Sequence, residues 1–329
     1  MTVLVTGGAG YIGSHTVLYL KEKGLDVVVL DSLQKGHRPA VLDTPLYVGH
    51  LTDESILDDV FQKHDIDAVI HFAADSLVGE SVEDPLKYYD NNVNGTLQLL
   101  KKMVEHGVKK IVFSSTAATY GEPESIPIQE SDPTFPTNPY GETKLAIEKM
   151  LKWADQAYGL KSVCLRYFNA AGADPEGRIG EDHHPETHLI PIVLQAALGQ
   201  RDHVAIFGED YPTDDGSCVR DYIHVIDLAQ AHYLALIKLD KTNESGIYNL
   251  GNGQGFSVKQ VIETCRRVTG KEIKAISSPR RPGDPAVLIA SSQKAEKELG
   301  WVPQYASLDT IVEHAWQWHQ VHPNGYEGV

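Results

Sequence analysis

Val3-Leu4-Val5-Thr6-Gly7-Gly8-Ala9-Gly10-Tyr11-Ile12-Gly13 joins a short apolar strand pattern to closely spaced glycines, and a helical pattern follows through Leu20. The glycines fit G-x-G-x-x-G counted from Gly8 and G-x-x-G-x-x-G counted from Gly7. Glycines at these positions permit a tight turn and a close approach of the backbone, so that the helix N-terminus can meet a pyrophosphate. The stretch therefore predicts a strand, turn and helix that bind a dinucleotide.

An acidic residue stands at the distance that this prediction requires. Asp31 ends a second β-branched run, eighteen residues after Gly13. A carboxylate in that position accepts hydrogen bonds from the ribose 2′-hydroxyl of adenosine and repels a 2′-phosphate. The sequence thus favours NAD over NADP as the cofactor.

Short β-branched runs alternate with helix-length segments through the first half of the chain. The runs are residues 3–5, 27–30, 68–72, 111–114 and 163–167. Such alternation is typical of a parallel sheet with helices on both faces. We predict an α/β protein with a Rossmann-type, doubly wound parallel sheet and a smaller C-terminal α/β substrate domain.

The composition of the sequence changes after Asn169, and a polar stretch over residues 172–188 indicates a long loop. Beyond it the patterns predict a helix near residues 191–198, a strand near 204–207 and a return strand at 247–250. We expect the NAD-binding domain at residues 1–175, with later segments near 220–250 returning to it. The substrate domain is expected at residues 176–329.

Composition restricts the partners that this chain is expected to bind. Apolar residues make up 42% and charged residues 22%, as in ordinary globular proteins. With 29 basic and 45 acidic residues the formal charge is −16, which repels nucleic acids and anionic membrane surfaces. We therefore expect neither as a partner, and an anionic ligand must be held by local Arg, Lys or helix N-termini.

Cysteine usage and hydropathy point to the cytoplasm. Cys164, Cys218 and Cys265 are widely spaced in apolar contexts, so we expect reduced thiols in the core. The sequence begins without a signal-peptide pattern and has no apolar run of the roughly 18 residues that a membrane span needs. A cytoplasmic location is the resulting expectation.

Tyr140-Gly-Glu-Thr-Lys144 sets a phenol and an ammonium on one face of a predicted helix. The same inward-packing stripe continues through Ile147, Leu151, Ala154 and Tyr158. A phenol has a pKa of about 10, and lowering it by three units takes roughly 4 kcal/mol of differential stabilisation. We expect Lys144, at hydrogen-bonding reach, and the positive ring of oxidised NAD to supply that stabilisation.

Hydroxyl side chains follow the strand at residues 111–114, in the run Ser114-Ser115-Thr116. Open parallel sheets bind ligands at the carboxyl ends of their strands. A hydroxyl there can relay a proton between a substrate and Tyr140. On spacing alone Lys144 could equally be a snorkelling lysine of an amphipathic helix, but the dinucleotide site and the hydroxyl run together favour catalysis.

These features resemble the extended short-chain dehydrogenases/reductases, and further motifs resemble the UDP-glucose 4-epimerase family over essentially the whole chain. Those motifs are His71-Phe72-Ala73-Ala74, Val78-Gly79-Glu80-Ser81, Tyr89-Asp90-Asn91-Asn92-Val93-Asn94-Gly95, Arg166-Tyr167-Phe168-Asn169, Ala205-Ile206-Phe207-Gly208 and Val219-Arg220-Asp221-Tyr222-Ile223-His224-Val225. The resemblance implies reversible epimerisation at carbon 4 of UDP-galactose and UDP-glucose through a transient 4-keto sugar with tightly bound NAD, as in galactose metabolism. It also implies a homodimer.

The resemblance assigns expected roles to individual positions. The catalytic residues would be Tyr140, Lys144 and Thr116. The NAD contacts would be Gly7, Gly10, Tyr11, Ile12, Gly13, Asp31, Phe72, Ala73, Ala74, Asn91, Tyr140, Lys144 and Phe168. The UDP-sugar contacts would be Thr116, Tyr140, Asn169, His188, Ala205, Ile206, Phe207, Arg220, Arg281, Asp284 and Leu288.

A few positions depart from the family pattern. Thr116 stands where serine is common, which keeps the hydroxyl. His50 replaces an acid near the adenine, Ser76 replaces a lysine near the cofactor, and His188 replaces an asparagine on the substrate side. These departures put single contacts in doubt and leave the expected chemistry intact.

Four alternatives stay open at this stage. A sugar-nucleotide 4,6-dehydratase needs an acid/base carboxylate pair where Ala117-Ala118 stands, and a non-catalytic NAD-binding regulator has little need for Tyr140 and Lys144. Epimerases of UDP-pentoses or UDP-N-acetylhexosamines, or one of dual specificity, are closer rivals. Residue bulk at Leu288 limits N-acetyl sugars in the resembling family, and leucine is intermediate in size.

A metal enzyme is the fourth alternative, because acids and histidines crowd one loop. They are Glu181, Asp182, His183, His184, Glu186 and His188. Their linear spacing matches no fixed ligand pattern, so we predict a solvated or substrate-bordering loop and no metal.

Overall fold

The computed structural model describes residues 1–281 and 284–327. The strands are β1 Thr2–Thr6, β2 Asp26–Asp31, β3 Leu46–Val48, β4 Ala68–His71, β5 Lys110–Ser114, β6 Lys161–Arg166, β7 Asn169–Ala171, β8 Val204–Phe207, β9 Val219–His224, β10 Gly246–Asn249, β11 Gly255–Ser257, β12 Ala275–Ser278 and β13 Val287–Leu288. The α-helices are α1 Tyr11–Glu22, α2 Glu54–Lys63, α3 Val78–Glu83, α4 Pro85–Tyr88, α5 Gly95–Glu105, α6 Pro139–Tyr158, α7 Leu189–Ala197, α8 Val225–Thr242, α9 Val258–Thr269, α10 Gln293–Leu299 and α11 Leu308–Val321. Short 3₁₀ turns lie at Arg38–Val41 and Ala117–Tyr120, and Tyr89–Asn94 is π-helical.

The main sheet has the order β10-β6-β5-β4-β1-β2-β3, and every neighbouring pair is parallel. All five strands predicted in the first half belong to it, so the prediction of a Rossmann-type parallel sheet is confirmed. The predicted return strand is β10, whose Gly246 lies opposite Val163 of β6. Because all strands run the same way, their carboxyl ends meet at one edge.

Helices cover both faces of this sheet, which is why its strands are apolar without interruption. Val3 and Val5 of β1 pack on one side in a cluster with Leu20 of α1 and Leu236 of α8. On the other side Leu4 joins a second cluster with helices α2, α5 and α6. Full burial of each such side chain stabilises the fold by roughly 1.5–3 kcal/mol.

The turn between β1 and α1 tolerates only glycine at two of its positions. Gly7 has a φ of +74°, and a Cβ there would lie 2.5 Å from the backbone nitrogen of Ala73. A Cβ on Gly13 would lie 2.1 Å from the carbonyl oxygen of Gly7. The glycine pattern therefore serves the close packing of strand, turn and helix as well as any ligand.

A smaller α/β region lies beside the carboxyl edge of the sheet. Strand β9 pairs with β7, β11 and β13, and β8 pairs in parallel with β12. Helices α7, α9 and α11 pack on these strands through a third apolar cluster that includes Val193, Val261 and Ile311. This region supplies the second wall of the cleft described below.

Helix α6 carries the predicted Tyr140 and Lys144 face. The Asn138 side chain caps its first turn by accepting from Gly141 N at 2.9 Å, and Gly159 in the left-handed conformation ends it. Lys144 and Leu151 are buried as expected. The expectation for Tyr158 was wrong, because this last residue of the helix is 56% exposed where the chain turns away from the sheet.

All three cysteines are buried and free, as the sequence predicted. Throughout the described ranges, no helix combines the length and the apolarity that crossing a bilayer would take.

Candidate active site

A cleft of about 1740 Å³ opens along the carboxyl edge of the sheet. The turns after β1, β2, β4, β5 and β6 line one side, and residues of β8 and β9 line the other. Every site residue predicted from the sequence lines this cleft except Ile206. Ile206 is buried in the core of the smaller region, whereas its neighbours Ala205 and Phe207, whose side chains point the other way along β8, line the cleft.

The glycine turn and Asp31 form one end of the cleft. Asp31 accepts hydrogen bonds from Ala9 N at 2.9 Å and Leu33 N at 2.8 Å. Burial raises the pKa of the Asp31 carboxyl, although these two bonds lower it. A Cβ on Gly10 would meet only the Gly7 carbonyl oxygen, at 3.4 Å, so Gly10 leaves the cleft open above the start of α1. These residues fit a dinucleotide.

Tyr140 and Thr116 lie together further along the cleft. Burial raises the pKa of Tyr140 to about 12, and a hydrogen bond with the Thr116 hydroxyl lowers it. The same hydroxyl accepts from Ala118 N at 3.1 Å, which holds the turn after β5. A phenol and a hydroxyl in this arrangement can pass a proton between a bound alcohol and the protein.

Lys144 is 3% exposed, and its Nζ donates to the Ser114 carbonyl oxygen at 2.9 Å. Burial lowers the pKa of Lys144 to about 7, and Glu148 raises it. Nζ lies 5.9 Å from the centre of the Tyr140 ring, and no hydrogen bond among the described residues joins the two side chains. The expectation of direct hydrogen-bonding reach was therefore wrong in this structure, where the ammonium donates to the end of β5.

A buried ion pair beneath the site was missed in the sequence. Arg166 donates to both carboxylate oxygens of Glu148, at 2.9 and 2.5 Å, and Ser115 Oγ donates to Glu148 at 2.5 Å. Glu148 stands four residues after Lys144 on the same helix face, so the spacing could have revealed it. The pair joins α6 to the ends of β5 and β6, and thereby fixes the turn that carries Thr116.

Cationic side chains line the opposite wall. Arg220 of β9 forms an ion pair with Asp284 and also donates to the Val219 carbonyl oxygen at 2.7 Å. The Arg281 guanidinium lies 4.0 Å from the centre of the Phe207 ring. Two guanidinium groups on one wall give an acidic protein a local site for an anionic ligand.

Leu288 of β13 stands opposite Arg220 in the strand register. It is partly buried and packs with Phe168 against Ala117, Tyr120 and Ile128. It therefore lies between the hydroxyl-bearing turn after β5 and the cationic wall, and it lines the cleft there.

The loop of residues 181–188 folds back on itself at the side of the cleft. His188 Nδ1 lies 3.0 Å from Oε1 of both Glu181 and Glu186, and His183 Nδ1 lies 3.1 Å from Glu181 Oε1. Asp182 and His184 are paired with each other at 3.1 Å instead. The sequence predicted a loop bordering the cleft but gave no sign that four of its side chains converge.

The parallel sheet, the glycine turn with Asp31 and the Tyr140–Lys144 helix define a dinucleotide-dependent enzyme of Rossmann type. The NAD dependent epimerase/dehydratase family model matches residues 3–251, so the chain belongs to this family.

Individual relatives narrow this class. The chain is 71% identical over 326 residues to the UDP-glucose 4-epimerase of Halalkalibacterium halodurans, covering 99% of this chain and 98% of that protein. It is 59% identical, with a TM-score of 0.98, to a crystal structure of UDP-glucose 4-epimerase, covering 99% and 100% of the two chains. The Bifidobacterium longum UDP-glucose 4-epimerase in complex with NAD+ and UDP is 43% identical, with a TM-score of 0.94 over 99% and 100%. The predicted resemblance to UDP-glucose 4-epimerases is confirmed.

Proposed function

We propose that this protein inverts carbon 4 of UDP-galactose and UDP-glucose reversibly, through a transient 4-keto sugar and with NAD held in the cleft. The observation that carries the proposal is one cleft with three parts: a glycine turn with Asp31, a phenol beside a hydroxyl, and a cationic wall. Full-length similarity to proteins called UDP-glucose 4-epimerase supports the same reaction.

The dinucleotide would lie along the carboxyl edge of the sheet. Its pyrophosphate would meet the N-terminus of α1 over Gly10, and Asp31 would accept from the adenosine ribose. NAD held there would supply the hydride acceptor for carbon 4 and a positive charge that favours the Tyr140 phenolate. Further contacts are proposed for Gly7, Tyr11, Ile12, Gly13, Phe72, Ala73, Ala74, Asn91, Tyr140, Lys144 and Phe168.

Tyr140 is the proposed proton acceptor for the 4-hydroxyl, directly or through Thr116. Positive charge entering the cleft would lower the raised pKa of Tyr140 and so favour the phenolate. Lys144 supports this from the end of β5, where it also orders the strand end that carries Thr116. Proton transfer from a positioned side chain contributes typically 10²–10⁴-fold to a rate.

The nucleotide half of the substrate would be anchored by the cationic wall. Arg220 and Arg281 would bind the diphosphate, and the strand of residues 205–207 would run along the uridine. Asn169, His188, Asp284 and Leu288 would complete the contacts. Because the anchor holds the nucleotide, the 4-keto hexose can turn over and present its other face.

We further propose that residues 1–175 bind NAD, that segments near 220–250 return to that domain, and that residues 176–329 bind the UDP-sugar. Ala117 and Ala118 line the cleft where a 4,6-dehydratase would need carboxylates, which argues against dehydration.

A cytoplasmic homodimer is proposed as the working form of the protein. Apolar side chains are exposed on three neighbouring helices, with Val82 of α3 at 62%, Leu86 of α4 at 78% and Trp153 of α6 at 66%. Exposed apolar surface of this kind is typical of subunit interfaces. A molar mass of one chain in solution would contradict the dimer.

The test uses the purified protein with UDP-galactose and no added cofactor. We expect NAD to accompany the protein and UDP-glucose to form. Tyr140→Phe should lower turnover by roughly 10²–10⁴-fold while leaving NAD bound. The matched control is Tyr158→Phe, which removes an exposed phenol from the same helix.

Near-normal turnover by Tyr140→Phe would refute the assignment of the proton acceptor. A requirement for free NAD that is consumed as NADH would indicate a net dehydrogenase instead.

A further inference from the structure

Glu181, His183, Glu186 and His188, here called the Glu–His cluster, form a compact group that the proposed proton and hydride transfers do not use. One donor atom from each of the four residues lies within 4.8 Å of the other three. All four residues line the cleft, so an ion can reach them from solvent.

The two carboxylates of the cluster need positive charge. The side chains of Glu181 and Glu186 are each only 4% exposed, and an isolated buried carboxylate is costly. Across the described residues, neither forms an ion pair with a lysine or an arginine, and their partners are the two imidazoles. A divalent cation held by two carboxylates and two neutral imidazoles would balance the charge completely.

A second cluster shows the contrast. Asp58, Glu105 and His106 also come together, but on the surface. Lys102 Nζ lies 2.7 Å from Asp58 and 3.1 Å from Glu105 there, so a protein cation already neutralises the acids. Among the described residues, no lysine or arginine pairs with the acids of the Glu–His cluster, whose ion-pair partners are its own two imidazoles.

The distances in the Glu–His cluster match a small tetrahedral ion. Bonds of 2.0–2.1 Å to nitrogen and oxygen place neighbouring donors roughly 3.3 Å apart in a tetrahedron. Through Oε1 of the two glutamates, three imidazole-to-carboxylate distances are 3.0, 3.0 and 3.1 Å. His183 Nδ1 lies 3.7 Å from the other oxygen of Glu186, Oε2.

We propose that the Glu–His cluster binds one Zn²⁺-like divalent cation through the Nδ1 atoms of His183 and His188 and one oxygen of each glutamate. The ion ties both ends of the 181–188 loop together and fixes the wall of the cleft at His188. The ion would take no part in the proton and hydride transfers, and its binding is measured apart from epimerisation, so the two proposals can fail independently although they share His188. The expectation of no metal relied on linear spacing, which does not show where a folded loop places its side chains.

The test measures Zn²⁺ binding by the untagged, NAD-containing protein after treatment with a chelator. Equilibrium dialysis with elemental analysis should give one Zn²⁺ per chain. Loss of a residue that only hydrogen-bonds a metal ligand lowers metal affinity by roughly 10- to 100-fold. His183→Gln removes a proposed ligand itself, so it should lower the affinity for Zn²⁺ by more than that. The matched control is His184→Gln in the same loop, whose imidazole lies outside the cluster and is 70% exposed, and it should bind like the parent.

Retained NAD and an unchanged unfolding temperature without metal would show that His183→Gln is folded. No Zn²⁺ uptake by the parent, or equal uptake by His183→Gln, would overturn the proposal. Should that variant fail to fold, Co²⁺ bound to the parent decides the question. Tetrahedral ligation gives intense visible absorption, whereas the weak bands of an octahedral surface ion would also overturn it.

Discussion

Tyr140 and Lys144 are both shifted away from their charged forms by burial. The pKa of Tyr140 is raised to about 12 and that of Lys144 is lowered to about 7. Burial disfavours both the phenolate and the ammonium in this cleft, and a nearby charge of the opposite sign stabilises either one. Positive charge entering the cleft would therefore lower the pKa of Tyr140, as its proposed role as proton acceptor requires.

Leu288 provides a test of substrate specificity at the scale of one side chain. Leu288→Ala should widen the cleft beside Phe168. It should raise the ratio of kcat/KM for UDP-N-acetylgalactosamine to kcat/KM for UDP-galactose by roughly 10-fold or more, because removing a few carbons from a pocket changes discrimination by about that factor. Steady-state kinetics with both sugars measure the ratio.

Leu288→Ile conserves the volume and serves as the control for that experiment. An unchanged ratio in Leu288→Ala would show that residues elsewhere set the width for an N-acetyl group.

At the scale of one element, the glycines of the β1–α1 turn divide into two kinds. Gly13→Ala would force a Cβ to within 2.1 Å of the Gly7 carbonyl oxygen. Gly10→Ala has room, since its Cβ would be 3.4 Å from the nearest atom and its φ of −78° suits alanine. We therefore expect packing to require Gly13, and ligand approach to require Gly10.

Gly13→Ala should lower the free energy of unfolding by about 1–3 kcal/mol or more, as other overpacked sites do. Gly10→Ala should cost the cofactor-free protein no more than about 1 kcal/mol, because it alters only a helix cap. It should nevertheless lower NAD affinity at least 10-fold. Urea denaturation and the NAD content after purification measure the two effects, and parental NAD affinity in Gly10→Ala would contradict this division.

The elements that the sequence missed are short and polar. Strand β9 reads Val-Arg-Asp-Tyr-Ile-His, and its Arg220 faces the cleft. A strand that borders a polar ligand site loses the apolar pattern by which strands are recognised. Strand β13 has only two residues, which is too short for any period. The five strands of the main sheet that were predicted from the first half of the chain are apolar and buried, and had neither problem.

At the scale of the whole molecule, buried histidines determine how acid affects stability. Burial lowers the pKa of His15 and His232 to about 4 and that of His71 to about 3, with Lys144 also lowering that of His71. Burial likewise lowers the pKa of His224 well below its usual value. Between pH 6.5 and these values the unfolded chain binds more protons than the folded protein does, so the free energy of unfolding falls as the pH falls.

We expect urea denaturation to show a lower free energy of unfolding at pH 5 than at pH 7.5, at saturating NAD. Each histidine contributes at most about 1.4 kcal/mol per pH unit. His232→Gln should reduce the number of protons taken up on unfolding by close to one, because the His232 ring lies in the core beside Phe72. Equal free energies at the two pH values would contradict the prediction.

The sequence by itself determined the nucleotide-binding half. Apolar strands, the glycine turn, Asp31 and the Tyr140–Lys144 spacing are local patterns, and a local pattern is readable because neighbouring residues must satisfy the same backbone geometry. The residues that it named as candidate contacts line the cleft, apart from Ile206, and their roles stay predictions.

Only the tertiary structure decided which distant residues meet. It brought Arg220, Arg281 and Leu288 to the wall opposite Tyr140, and it closed the 181–188 loop into a cluster. It also decided that Lys144 binds the end of β5 rather than the phenol. Burial, pKa and ligand geometry depend on which surfaces pack together, and residues far apart in the chain carry no local mark of that contact.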